Sequence, residues 1–206
     1  MKITKLSERR KGLTALILED ESELLLDSEI VVINDLRPGV FLDDPDALLY
    51  ESDLKRAKNR ALWYLSRGDL SEKKLREKLL SGGFMPSATD AAIERMKELE
   101  LIDDRRLAQR LYGYLSESGA SKREIFHKLQ NKGIPFEVAK SVVENDDSDE
   151  SEKLLKLIRT KYSGKLDTEE GVRKTFNTLI RHGFSYSDVR DALKAYSEEI
   201  EKLEDY

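Results

Sequence analysis

Apolar positions along the chain change their spacing near residue 45. Before it they come in short runs. Leu13-Thr14-Ala15-Leu16-Ile17-Leu18 is followed by a turn at Asp20-Glu21-Ser22 and then by Glu23-Leu24-Leu25-Leu26. Runs of this length, bounded by turn residues, predict strands. With residues 2–6 as a third strand, they predict a small β-meander. A short helix capped by Ser28 and carrying Ile30, Val31 and Ile33 comes next, and Arg37-Pro38-Gly39 reads as a turn. From Pro45 onward the spacing is helical. Leu54, Ala57, Ala61, Tyr64 and Leu65 share one face of a predicted helix over 46–66, which Gly68-Asp69 breaks. Ser71 caps a second helix with Leu75, Leu79 and Leu80 inward. Ser87 begins a third through Ala88, Ala92, Met96 and Leu99.

This plan recurs every 50 residues. The first copy reads Leu75-x-x-x-Leu79-x-x-x-Gly83-Phe84, and the second Ile125-x-x-x-Leu129-x-x-x-Gly133-Ile134. The third keeps Leu179-x-x-x-Gly183-Phe184 but has Thr175 at its first position. Other columns align without a gap: Ala57, Leu107 and Leu157; Ala92, Val142 and Ala192; Ile93, Val143 and Leu193. Leu65 and Leu115 align with Lys165, where the third copy departs. A glycine closing an apolar helical stripe predicts a left-handed helix end. A fixed period of this size predicts stacked repeats. In the second unit Asp103 opens the first helix, Ser121 caps the second and Pro135 stands at the N-terminus of the third. In the third unit, after the acidic stretch Asp146-Asp147-Ser148-Asp149, Thr168 caps the second helix and Ser185 or Ser187 the last, which runs to about Leu203. The fold expected is mostly α. Three tandem three-helix repeats form an elongated curved rod behind a small β-meander or hairpin. The segments are 1–44, 45–100, 101–146 and 147–206.

Composition narrows the function classes. The 206 residues contain no Cys, which removes disulfides, thiol catalysis and cysteine-based metal sites. No apolar run approaches membrane-spanning length and the first residues lack a secretory apolar region, so a cytoplasmic protein without a membrane partner is expected. The net charge of −5 is unevenly spread: 17–50 hold ten acids and one base, whereas 53–80 hold nine bases and four acids. Phosphate-cradling glycine motifs and paired zinc-binding histidines are absent. His127 and His182 fall at non-equivalent positions and read as exposed helix residues. Asp147-x-Asp149 fails as a calcium loop because Glu152 stands where glycine is required. The adjacent Asp103 and Asp104 read as helix-capping acids. No catalytic constellation assembles, so neither an enzyme nor a cofactor is expected.

Basic residues follow the repeat as well. Arg56, Arg106 and Lys156 share one register position, Lys73, Arg123 and Arg173 another, and Arg60 pairs with Arg110. Equivalent positions on stacked repeats line up, so these eight residues are the candidate binding surface. Trp63, Tyr64, Tyr112 and Tyr114 lie on the same helices, and packing is the expectation for them over base stacking.

The combined motifs resemble the RecX family, bacterial regulators of the RecA recombinase. The first repeat carries Ala61-Leu62-x-x-Leu65-x-Arg67-x-x-x-Ser71-x-x-x-Leu75-x-x-Lys78-Leu79. The second carries Leu101-Ile102-Asp103-Asp104-x-x-Leu107-Ala108, then Gly119-x-x-x-x-x-Ile125-x-x-x-Leu129-x-x-Lys132-Gly133-Ile134. Two departures stand out: Leu107 occupies a position where the family usually has an aromatic, and the third repeat is divergent. The resemblance implies a non-enzymatic monomer that binds the RecA filament on single-stranded DNA and limits its growth. ATP hydrolysis, strand exchange and co-protease activity, and with them recombinational repair and the SOS response, would be held down. Single-stranded DNA is implied as a further partner. The competing reading is a helix-turn-helix transcription regulator with recognition helices near Ser71 or Ser121.

Overall fold

The computed structural model describes residues 1–146 and 149–204. The chain forms two compact units, Met1–Asp103 and Asp104–Tyr206. In the first, β1 (Ile3–Arg9), β2 (Leu13–Leu18) and β3 (Glu23–Asp27) make an antiparallel sheet in sequential order. The β1–β2 turn places Lys11 and Gly12 at φ 68° and 69°, a geometry that suits the right-handed twist of the flanking strands. Ile3, Leu16, Leu18, Leu24 and Leu26 bury one face, closed by Val31 of α1 (Ser28–Ile33) and by Leu36 and Leu42. Residues 39–42 run beside the start of β1 and cover that end of its outer edge: the Ile3 amide donates to Val40 O (2.9 Å) and the Leu42 amide to Met1 O (2.7 Å).

The cap of α1 is Asp27, not Ser28. The Asp27 carboxylate accepts from the Glu29 amide at 3.0 Å, while Ser28 is the first helical residue and its hydroxyl bonds Thr14 Oγ1 at 2.8 Å. The reason lies in the long helix that follows, α2 (Pro45–Leu65). Lys55 Nζ donates to Asp27 Oδ1 at 2.7 Å and also pairs with Glu29, and the buried Ser52 hydroxyl accepts from the Asp27 amide at 2.7 Å. These contacts hold Asp27 at the end of β3 and fasten the sheet to α2.

α2 (Pro45–Leu65) starts at Asp44, whose side chain accepts from the Ala47 amide at 2.9 Å, with Pro45 in the first turn where no N–H is needed. α3 (Glu72–Ser81) is capped by Ser71, and α4 (Pro86–Glu98) returns across both. α4 begins one residue before the expected Ser87, and its N-cap, Met85, makes no side-chain cap bond. The Met85 amide instead donates to Asp53 of α2 at 2.7 Å. The three helices enclose Ala57, Ala61, Leu75, Leu79, Ala92, Ile93 and Met96.

The second unit repeats the plan twice. α5 (Asp104–Glu117), α6 (Lys122–Asn131) and α7 (Phe136–Glu144) surround Leu107, Ala108, Ile125, Leu129, Ala139 and Val142. α8 (Glu150–Leu157), α9 (Glu169–Arg181) and α10 (Tyr186–Glu204) surround Leu154, Leu157, Ile158, Leu179, Phe184 and Val189. Thr168 caps α9, and the Ser185 hydroxyl accepts from the Asp188 amide at 3.1 Å, which makes Ser185 the serine that caps α10. After α8 the chain passes through a π-turn (Ile158–Tyr162) and a short 3₁₀ segment (Ser163–Lys165). Lys165 stands where the other copies have leucine, and Tyr162 and Leu166 fill the core in its place.

Gly83, Gly133 and Gly183 sit at φ 84°, 83° and 87°, beyond the ends of α3, α6 and α9. Each closes the same pair of bonds. The following residue's amide reaches back to the core leucine (Phe84 to Leu79 O, 3.4 Å; Ile134 to Leu129 O, 3.2 Å; Phe184 to Leu179 O, 3.3 Å). The glycine amide reaches the residue after that leucine, as in Gly83 to Leu80 O at 3.0 Å. This is the Schellman closure. The first and third glycines differ in surroundings. A Cβ on Gly83 would meet open space, but one on Gly183 would lie 2.6 Å from Ser121 Oγ. Gly83→Ala should therefore cost only the left-handed penalty of about 1 kcal/mol. Gly183→Ala should cost clearly more, and urea midpoints compare the two. Equal losses would remove the Ser121 contact from the account.

Candidate functional site

The eight repeat-matched basic residues all lie on helices. Arg56 and Arg60 are on α2 and Lys73 is on α3, within the first unit. Arg106 and Arg110 are on α5, Arg123 on α6, Lys156 on α8 and Arg173 on α9, within the second. All but Arg56 are exposed. Arg56 is half-buried, its guanidinium 3.8 Å from Asp53 and 5.7 Å from the centre of the Phe84 ring. Because Asp53 also accepts from the Met85 amide, Arg56 is part of the joint between α2 and α4 as well as of the surface.

Of the four aromatic residues on these helices, two are not packed as expected. Trp63 is 42% exposed and Tyr114 71% exposed. Tyr64 does pack, half-buried against the first helical core. Tyr112 is half-buried too, and its hydroxyl donates to Asp146. Burial pushes the Tyr112 phenol up, and the bond to Asp146 and the charges of Asp146 and Glu150 push it the same way. It therefore stays protonated and serves as a donor. Lys153 Nζ reaches the same carboxylate at 2.7 Å and Ser116 Oγ at 2.9 Å. This network ties the segment after α7 to α5 and α8. Asp147, the first residue of the rejected calcium-loop reading, lies outside the described residues. Among the described residues no three His, Asp or Glu side chains converge as a metal-ligand set. No helix there is long and apolar enough to cross a membrane.

Around Trp63 the structure adds Arg67 and Lys78 to the candidate residues. The Arg67 guanidinium lies 3.9 Å from the Trp63 ring centre and that of Arg60 at 5.3 Å. Lys78 Nζ lies 5.1 Å from the Tyr64 ring centre, and the two rings meet edge-on at 5.1 Å. The signal was present in the spacing, since Arg60, Trp63, Tyr64 and Arg67 stand at i, i+3, i+4 and i+7.

His182 also departs from expectation. It is the C-cap of α9, and its Nδ1 donates to Glu124 Oε2 at 3.1 Å. Ser121 Oγ, the cap of α6, accepts from the Glu124 amide at 3.1 Å and donates to His182 O at 2.6 Å. The start of α6 is thus stitched to the end of α9. His127, by contrast, is exposed as expected.

Residues 57–96 match the family model described as RecX, first three-helix domain. The Regulatory protein RecX of Caldanaerobacter subterraneus is 26% identical over 196 residues, spanning 94% of this chain and 98% of that protein. The protein of the same name from Clostridioides difficile is 28% identical over 199 residues, with 93% of each chain covered. The chain is thus similar to RecX proteins over nearly its whole length. Two solved RecX structures share its fold. One, a crystal structure of regulatory protein RecX, superposes with a TM-score of 0.62 at 21% identity over 94% of this chain and 98% of that one. The other, RecX from Lactobacillus salivarius, gives 0.60 at 24% identity over 69% and 96%.

Within this chain Glu124 carries a testable electrostatic role. Burial acts to raise its carboxyl, but hydrogen bonds from Lys128 and His182 outweigh that and hold it below the ordinary carboxylate range. A depressed folded pKa contributes stability above the unfolded value, about 4.3 for Glu, and loses it as pH falls through the folded value. Glu124→Gln should therefore lower the thermal midpoint at pH 7, with the gap to the parent narrowing below pH 4. A gap that stays constant with pH would sink this assignment.

Proposed function

We propose that this chain regulates RecA by binding the RecA filament on single-stranded DNA and limiting its growth, ATP hydrolysis, strand exchange and co-protease activity. It acts as a cytoplasmic monomer, by occupation of the filament and without catalysis of its own. The observation that carries this reading is the extent of the match: the likeness to Regulatory protein RecX runs through almost the whole of both chains. Relatives of that name are called regulatory proteins, which supports a non-enzymatic role. The segments 1–44, 45–100, 101–146 and 147–206 serve in this reading as a β-containing segment and three repeats. Their exposed cations at matched positions meet acidic or phosphate groups of the filament.

The expected result is that titrating this protein lowers ATP hydrolysis by RecA on single-stranded DNA. Reversing the exposed Arg106, Lys156 and Arg173 together to Glu should leave helicity unchanged and raise the concentration needed for inhibition at least tenfold. Unchanged inhibition by that variant would remove the matched cations from the mechanism. No inhibition by the folded parent, together with sequence-specific duplex binding, would replace the proposal with a helix-turn-helix transcription regulator.

A further inference from the structure

We infer that the exposed face of α2 with the adjoining edge of α3 is a binding site for single-stranded nucleic acid, in which a base stacks on Trp63 and Arg60, Arg67 and Lys78 hold the flanking phosphates. Arg60, Trp63 and Tyr64 of α2, with Arg67 two residues past its end, form the platform. α3 adds Lys78 from its last turn.

Tryptophan is costly to leave in water, and Trp63 is 42% exposed although Ala57, Ala61 and Leu65 beside it face the core. Its ring is held in place. Tyr64 packs against the core on one side and meets Trp63 edge-on at 5.1 Å on the other. Arg67, 3.9 Å from the Trp63 ring centre, presents a flat cation beside an aromatic surface. Arg60 at 5.3 Å from the same ring and Lys78 at 5.1 Å from Tyr64 complete the cluster.

A cation over a ring face covers the ring and is attracted by it. Here three cations gather on two rings, and among the described residues none of the three forms an ion pair. Their neighbours do: Lys74 pairs with Glu77 at 2.7 Å, and Arg76 with Glu72 at 3.7 Å and with Asp90. Glu72, Glu77 and Asp90 are thus taken up by other bases. What remains is a fixed aromatic surface bordered by unneutralised charge. That combination suits unpaired bases, whose faces are open, better than duplex, whose faces are stacked away. The inference deepens the filament reading by giving the nucleic-acid strand a contact on this chain, and rests on that reading only for its setting.

The chain contains a single tryptophan, so its emission reports on this site alone. The experiment titrates the full chain, with no recombinase present, against oligothymidylate, a mixed-sequence duplex and a polyglutamate peptide. Oligothymidylate should quench Trp63 emission saturably, with an affinity that falls as salt rises. The duplex and the peptide should quench far less. With a fluorescein-labelled oligothymidylate, Trp63→Leu should weaken binding roughly tenfold or more, and Trp63→Tyr should keep most of it. The double change Arg67→Ala and Lys78→Ala should weaken binding and flatten its salt dependence. Circular dichroism should stay unchanged, because none of these side chains is in the core. Equal quenching by duplex would overturn stacking on unpaired bases, and quenching by polyglutamate alone would reassign the face to acidic protein. No quenching at all would remove the site. None of these results bears on whether the protein inhibits RecA, so the two proposals fail separately.

Discussion

The left-handed glycine at the end of each second helix sets the geometry on which the helical repeats depend. A helix of ten residues such as α3 cannot hold itself together in water, and its stability comes from the face it buries. That face is short: Leu75 and Leu79 in the first copy, Ile125 and Leu129 in the second. The chain must then reverse within a few residues so that a third helix covers the same leucines. A left-handed residue makes that reversal while the last carbonyls of the helix still find donors. The residue after the glycine drops its side chain back toward the core, which is why Phe84, Ile134 and Phe184 follow Gly83, Gly133 and Gly183 and pack against those clusters.

Once the glycine fixes the helix end, the end itself becomes available for contact. In the third copy the main chain at His182 and Gly183 lies against the cap of α6. The missing Cβ at Gly183 leaves Ser121 Oγ room to serve two partners, the Glu124 amide and the His182 carbonyl. The Ser121 side chain is almost fully buried, so each of its polar bonds matters more than a surface bond would. The joint between the sheet and α2 uses the same economy. Asp27 caps α1 while Lys55 and Ser52 hold its carboxylate and its amide. In both places a helix cap doubles as the contact between elements.

Those double roles mark the boundary of what the chain's pattern reveals. The 50-residue period, the helix ends and most caps were legible because each demands a particular residue locally: glycine for positive φ, serine or threonine before an apolar stripe. The choice between Asp27 and Ser28 was not legible. Both are good caps, and the decision is made by Lys55, far along the chain. The π-turn after α8 left only a trace, Lys165 in a leucine column, which says that the helix changes without saying how. Trp63 misled in the opposite direction. An aromatic on an amphipathic helix usually points inward, and only its flanking arginines at helical spacing argued otherwise. The role of His182 was hidden altogether, because its partner Glu124 belongs to another repeat.

The charge pattern resolves along the same lines. A chain of net charge −5 is a poor general ligand for polyanions, yet net charge acts at long range and is screened beyond about 8 Å at physiological salt. What a close partner meets is the local residue of pairing. Part of the acid of 17–50 is held against its own unit, as in Arg9 with Glu23 at 3.0 Å and Lys55 with Asp27 at 2.7 Å. Acids on α3 and α4 are taken by Lys74, Arg76 and Lys97. Pairing within the unit therefore subtracts both signs and leaves a positive remainder at Arg60, Arg67 and Lys78. Acidic surroundings repel phosphate weakly at a distance and bare cations attract it strongly at contact. In the proposed reading a polyanion meets the chain where its cations are unpaired, and the overall charge discourages binding elsewhere.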